Sequence, residues 1–444
     1  MAKSLKTLAF LLAVLAWMAM GIRQGLPGGV AYAAQLNWWS HWATEENNKM
    51  VLYEVAKRFE AKRPGNTVKL TFYEKANLWP ALRVTLTANS GFPDIFYFDR
   101  DALEFLTTGW LADLSSAIRL DNIEPFAKTY WTRPGPGGKV GMWAVPVQTE
   151  TEEIYYSKKL FRQLGIAVPA GYAFTQDEFK RVVTTCAKAG YAAFATGGAD
   201  REWAALFIPT ELLVSKLGAE DLEKLGRGEM SWKDPRVVEV FQYYKELIDL
   251  GAYAKTFSSM GLADAHRYFH TEQKACMFPY NSSYVARAFV SPDKGGQPKD
   301  FELGILNYPL MRDGKGHGEK FLGVGGSLSV AAKSPNLSLA LEVANIFADP
   351  EIGNLWMSKT SMLTGIKTDL ARVESAHKAY LEDYNEANKN AKRVTNVGTM
   401  GMKPLMPPGV WSVWVAVVNQ GLPNKLIGVD AALDKLEEAR LKGK

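Results

Sequence analysis

Phe59-Glu60-Ala61-Lys62-Arg63-Pro64-Gly65-Asn66-Thr67-Val68 holds the end of one element and the start of the next. Upstream, Glu45 to Lys62 places Met50, Val51, Val55 and Phe59 on one side of an amphipathic helix. Arg63-Pro64-Gly65-Asn66 stops that helix, since Pro cannot continue its hydrogen bonds and Gly accepts the turn that follows. Thr67 to Phe72 then alternates as a strand. Working outward, Leu36–Trp39 is a short apolar strand before the helix. Leu78–Ala88 is a second helix, ended by Asn89-Ser90-Gly91. Asp94–Phe98 is a buried strand, and Ala102–Thr108 a helix closed by Gly109. This βαβαβα order predicts an α/β layer fold with a mainly parallel sheet.

The rest of the chain continues the alternation. After the Gly-rich turn Arg133–Lys139, strands are expected at Val140–Val147 and Glu153–Tyr156. Helices are expected at Ser157–Leu164, Gln176–Ala189, Trp203–Leu217, Pro235–Leu250 and Asp264–Thr271. Cys276–Tyr280, Phe301–Leu306 and Gly323–Ala332 read as strands, the last interrupted by a Gly pair, with the helix Leu337–Phe347 following. Asp369–Arg393 is polar and reads as a solvated helical connection. A helix pair, Val410–Gln420 and Val429–Leu441, closes the chain.

Lys3 and Lys6, the apolar run Thr7–Met20 and Ala31-Tyr32-Ala33-Ala34 form an export signal with an A-x-A cleavage site, so residues 1–34 are expected to be removed. The run is too short to span a bilayer well, and no Cys adjoins the cleavage site to take a lipid. A periplasmic location follows as the expectation. Without Lys3, Lys6 and Arg23, 49 basic side chains face 47 acidic ones, which argues against nucleic acid as a partner. About 410 residues are too many for one core and suggest two domains. Five histidines and two cysteines are a thin supply for a metal site, and none is expected. Cys186 and Cys276 can pair in an oxidising compartment or remain buried thiols.

Several segments in order resemble the extracellular solute-binding proteins of ABC importers, in particular their sugar-binding group. They are Phe59–Val68; Ser90-Gly91-Phe92-Pro93-Asp94-Ile95-Phe96; Thr108-Gly109-Trp110-Leu111-Ala112-Asp113-Leu114; Gly138–Pro146; Tyr155-Tyr156-Ser157-Lys158-Lys159-Leu160-Phe161; and Gly325-Gly326-Ser327 with Lys333-Ser334-Pro335-Asn336 and the ending Ala431-Ala432-Leu433-Asp434. Ser157 stands where the family usually has Asn. The resemblance implies a two-lobed clamp, each lobe a mainly parallel sheet flanked by helices, with three hinge crossings near Val145–Thr149, Gly325–Ser329 and Asp369–Arg393. Lobe 1 would comprise residues 35–145 and 327–380, and lobe 2 residues 146–326 and 381–444. It also implies a monomer without cofactor, a carbohydrate ligand and a membrane permease as partner.

Candidate ligand contacts follow from strand ends, where open α/β sheets place their clefts. Trp39, His41 and Trp42 follow the first strand; alternation cannot bury Trp38 and Trp39 equally, and core filling is the competing role. Asp99 and Arg100 follow the third strand, where a carboxylate and a guanidinium suit hydroxyls; a solvated ion pair is the alternative. Glu150 lies at the first crossing and Gly326 at the second, where Gly tolerates hinge motion. Trp203, Tyr280 with Asn281, and Trp411 are contacts implied from lobe 2, Trp411 as the stacking aromatic of the family.

His266 and His270 are spaced i, i+4 but lack an HExxH frame and read as a satisfied surface pair. Gly135–Lys139 is no P-loop, and Gly323-x-Gly325 no dinucleotide fingerprint. The expected function is capture of a carbohydrate, an oligosaccharide on the count of Trp, by hinge closure and delivery to an ABC permease, without catalysis. Alternatives are an acidic or phosphorylated solute, such as a uronate held by Arg100 and His41 or a glycerol phosphodiester, and a secreted carbohydrate-active enzyme using its clustered carboxylates.

Overall fold

The computed structural model describes residues 33–443 except 44, 100–101, 200–205, 390–392 and 396–397. The export signal up to residue 32, and the candidates Arg100 and Trp203, lie outside the described residues.

The strands in chain order are β1 (Gln35–Ser40), β2 (Thr67–Phe72), β3 (Ile95–Phe98), β4 (Thr132–Pro134), β5 (Val140–Met142), β6 (Thr149–Ser157), β7 (Ala192–Phe194), β8 (Ala275–Asn281), β9 (Leu303–Leu306), β10 (Glu319–Val324), β11 (Ser327–Val330) and β12 (Arg393–Thr395). The first sheet has the order β11-β3-β1-β2. Its β1 runs parallel to both neighbours, with Trp38 opposite Leu70 on one side and Ile95 on the other. Only β11 is antiparallel. The helix Glu46–Lys62 buries Val51, Leu52, Val55 and Phe59, while Met50, placed on that stripe from sequence, is half exposed. Trp38 meets Phe347 of the helix Leu337–Phe347 edge-on at 5.9 Å.

The second sheet has the order β12-β10-β6-β8-β7, with β9 also on β6. Here the expectation of a mainly parallel sheet fails. β6 is antiparallel to β8, β9 and β10, and only the β7–β8 and β10–β12 pairs are parallel. The physical cause is that β6 enters straight from the first crossing as a nine-residue, fully buried central strand, and its neighbours return toward it. Its helices obey local rules. Thr175 and Glu178 form a reciprocal capping box on Gln176–Lys188, and Asp234 with Pro235 starts Pro235–Asp249. Cys186 and Cys276, left open by sequence, are bonded, tying that first helix to β8.

Three segments run side by side between the sheets. Val145 bridges Leu328. The Gln148 N–H donates to the Gly326 carbonyl at 2.7 Å, and the Gly325 N–H to the Gln148 carbonyl at 2.9 Å. The third, Met362–Ile366, lies alongside but returns to the first sheet's side, with Ile366 bridging Ile123; Thr149 N–H donates to Leu363 and Gly365 N–H to Pro146. Downstream, the helix Lys378–Asn388 corrects the solvated reading of this stretch, since Tyr380, Tyr384 and Ala387 are buried. Tyr384 donates to Thr151 Oγ1 at 2.9 Å, so this helix packs on the second sheet.

Candidate functional site

A cavity of about 210 Å³ opens between the two sheets. The first sheet supplies its floor from the carboxyl ends of β1 and β3. After Ser40 the chain turns through His41 to Trp42, with the Ala43 N–H donating to His41. Trp42 is wedged rather than free: its ring lies 5.4 Å from Tyr97 and 5.2 Å from Trp356, and it is 3% exposed. His41 meets the Tyr97 ring edge-on at 4.0 Å. The Tyr97 hydroxyl donates to Asp99 Oδ2 at 2.8 Å, which fixes that buried carboxylate at the strand end.

The crossings supply the back wall. Gln148 Nε2 donates to Glu150 Oε1 at 3.1 Å. The Gly pair at the second crossing serves close approach rather than unusual torsion, because neither residue is in the left-handed region. A Cβ on Gly325 would stand 2.9 Å from the Glu150 carboxylate, and one on Gly326 2.6 Å from the Tyr97 ring and 2.9 Å from Trp42.

The second sheet supplies the far wall from the carboxyl end of β8. Asn281 Oδ1 accepts from the Ser283 N–H at 3.0 Å and caps the turn that brings Tyr284 to the cavity. Tyr280 stacks against Phe278 at 5.3 Å. His266 and His270 are buried here, not on the surface as expected from sequence. Burial, then Arg287 and His270, hold the His266 imidazole well below its ordinary pKa, and burial also lowers His270.

Of the sequence candidates, His41, Trp42, Asp99, Glu150, Tyr280 and Asn281 therefore share one cavity. Trp39 does not line it; its ring packs on Tyr73 at 5.0 Å. Gly326 shapes it from behind. Trp411 is 8% exposed in the core that also holds Trp232 and Trp414. Sequence reading missed Tyr97, Gln148, His266, Tyr284, Arg287 and Met362 among the lining residues. Tyr97 and Gln148 each sit two residues from a named candidate, and period-two alternation could have found them. His266, Arg287 and Met362 come from elements whose approach only the tertiary fold sets. Among the described residues, no three His, Cys, Asp or Glu are grouped to hold a metal ion, and no helix is long and apolar enough to cross a membrane.

Comparison with known proteins agrees with this architecture. The family described as bacterial extracellular solute-binding protein matches residues 27–353. The chain is 26% identical over 296 residues to the multiple sugar-binding protein of Streptococcus mutans, covering 65% of this chain and 66% of that one. It is 24% identical over 225 residues to an uncharacterized ABC transporter extracellular-binding protein of Pyrococcus horikoshii, covering 47% of each. The chain thus spans about two thirds and about half the length of these relatives. Among solved structures, a chitin oligosaccharide binding protein superposes with a TM-score of 0.74 at 22% identity, over 93% of this chain and 99% of that one.

Proposed function

The chain belongs to the bacterial extracellular solute-binding protein family, and on that premise we propose that it captures a carbohydrate between its lobes and hands it to the permease of an ABC importer. The observation that carries this reading is the composition of the cavity. Aromatic rings of Trp42, Tyr97, Tyr280 and Tyr284 stand beside the carboxylates of Asp99 and Glu150, at strand ends of two sheets joined by the adjacent segments Val145–Thr149 and Gly325–Ser327. Rings stack on the apolar faces of a sugar while carboxylates accept from its hydroxyls. Such a site binds through many non-covalent contacts. The sugar relatives, named for multiple sugars and for chitin oligosaccharide, support the same ligand class. The enclosed volume is below the ~300–1,000 Å³ usual for drug-sized ligands, so it takes the end of an oligosaccharide, with further units passing out along the cleft.

The mechanism is conformational. The protein, exported to the periplasm and active as a monomer, samples an open clamp; ligand contacts from both lobes favour the closed one, which the permease recognises. Lobe 1 comprises 35–145 and 327–377 and lobe 2 comprises 146–326 and 378–444, the boundary expected at 380 moving back because Tyr380 packs on Tyr155 and Phe289. The test is a thermal-shift screen of the mature chain against neutral sugars, uronates and glycerol phosphodiesters, with Trp fluorescence alongside. A sugar at 100 times its Kd stabilises by about 2.7 kcal/mol and changes the emission of Trp42. Absence of any carbohydrate shift, or turnover of a glycan at an enzyme-like rate, would overturn the reading.

A further inference from the structure

Two lining residues, Asn48 and His266, have a polar atom that is buried and unmatched among the described residues, and His266 is the one on the second sheet's side. It ends the helix Leu262–His266, which continues into a π-helical turn, Arg267–Thr271, a rare element found disproportionately at functional sites. His266 precedes this turn and His270 lies on it, and the surroundings of the two rings differ. His270 has both nitrogens engaged: Nε2 lies 3.2 Å from the Gly295 carbonyl and Nδ1 2.9 Å from the Tyr284 hydroxyl. A carbonyl only accepts, so Nε2 carries the proton and Nδ1 accepts from Tyr284. His266 is 5% exposed and lines the cavity, and its Nε2 has no partner among the described residues. Its ring is held edge-on by Phe278 at 5.1 Å and Tyr284 at 5.1 Å, with Tyr280 at 6.2 Å. Such packing holds the ring without satisfying its nitrogen, and a buried polar atom without a partner is a standing demand for one.

We propose, building on the sugar-binding reading, that His266 is the lobe 2 contact that selects an uncharged polyhydroxyl ligand, its Nε2 sharing a hydrogen bond with one sugar hydroxyl. The groups facing it settle the charge of that ligand. On its own side stand Arg287 and the neutral His270, and both oppose a proton on His266. Asp99 and Glu150 line the same cavity from lobe 1 and the crossing. Arg287 is the single cation in the described lining, against the carboxylates of Glu45, Asp99 and Glu150, and a neutral imidazole adds no second positive charge for a uronate or phosphate. A hydroxyl suits the imidazole and the carboxylates alike, because it donates to a carboxylate and either donates to or accepts from a neutral ring.

The experiment titrates the mature chain with neutral oligosaccharides and their uronic-acid counterparts, following Trp fluorescence, for wild type, His266→Phe and His266→Gln. Phe keeps the aromatic packing and removes the nitrogen, whereas Gln restores a hydrogen-bonding group. Expected are a neutral sugar bound at least tenfold more tightly than its acidic counterpart, a tenfold or greater loss in His266→Phe, and partial recovery in His266→Gln. In wild type labelled with 15N-histidine, the Nε2 resonance of His266 should move on adding the bound sugar while that of His270 stays; this arm decides the matter if a variant fails to fold. Equal or tighter binding of the uronate, unchanged affinity in His266→Phe, or a stationary His266 resonance would overturn the inference while leaving sugar binding intact. Failure of wild type to bind any sugar would overturn the underlying reading and this inference with it.

Discussion

Gln148 and Gly326 are clipped together backbone to backbone across the first two crossings, with Gln148 N–H donating to the Gly326 carbonyl at 2.7 Å. The same Gln148 steers Glu150 through its side-chain amide at 3.1 Å, and the same Gly326 gives Trp42 and Tyr97 the room to pack. Two crossings and two walls of the cavity are thus one construction.

Gly326→Ala should therefore act on stability and binding together. Its Cβ would enter the Tyr97 ring at 2.6 Å and Trp42 at 2.9 Å, and overpacking of this kind costs about 1–3 kcal/mol. Urea unfolding should show that loss, and Trp emission of the unliganded protein should shift as Trp42 moves. An alanine variant with wild-type midpoint and emission would mean that the rings yield freely.

Glu150→Gln removes a charge while keeping the shape. Hydrogen bonds to charged groups are worth about 1.5–3 kcal/mol, so calorimetric titration with the sugar identified by screening should show affinity falling roughly 10- to 150-fold. Neither form should turn over a glycan. Retained binding with loss of a turnover that wild type possesses would instead point to an enzyme.

The strands and helices around Arg63–Asn66 were legible because each depends on local pattern. Thr67–Phe72 matches its strand residue for residue, and so does Leu337–Phe347 its helix. Periodicity carries no strand direction, however, so the antiparallel surroundings of β6 could not be read. Polar composition gave a helix here but hid the face of Lys378–Asn388 that Tyr380, Tyr384 and Ala387 bury. In the cavity, residues adjoining strand ends were readable, whereas His266 depends on a π-turn and a distant wall. Trp411 shows the converse: an aromatic at a family position that packs into a core with Trp414.

The Cys186–Cys276 bond closes a 90-residue separation between a surface-layer helix and β8. Removing such a crosslink costs about 2–5 kcal/mol, mainly by freeing the unfolded chain. Cys186→Ser with Cys276→Ser should lower the midpoint of thermal unfolding by several degrees, and dithiothreitol should do the same to wild type. Below the transition, ligand affinity should be unchanged, since neither Cys lines the cavity. A variant as stable as wild type would show that packing alone holds this helix.

Glu437 anchors the last helix, Val429–Lys442, to the rest of lobe 2. Its carboxylate accepts from Arg440 at 2.6 Å and 2.9 Å and from the Trp232 N–H at 3.0 Å. The Arg440 bond first, then the Trp232 N–H, hold its pKa down at about 2 against burial. A carboxyl whose pKa is lowered by folding adds stability at all pH values above its unfolded pKa, near 4.5, and that addition is lost as pH falls from there toward 2. Glu437→Gln should therefore melt below wild type at pH 7, and the gap should narrow steadily between pH 5 and pH 2. Differential scanning calorimetry across that range would measure it. A gap independent of pH would assign the loss to packing or to the altered Trp232 hydrogen bond, because the ion pair with Arg440 is the part that protonation removes.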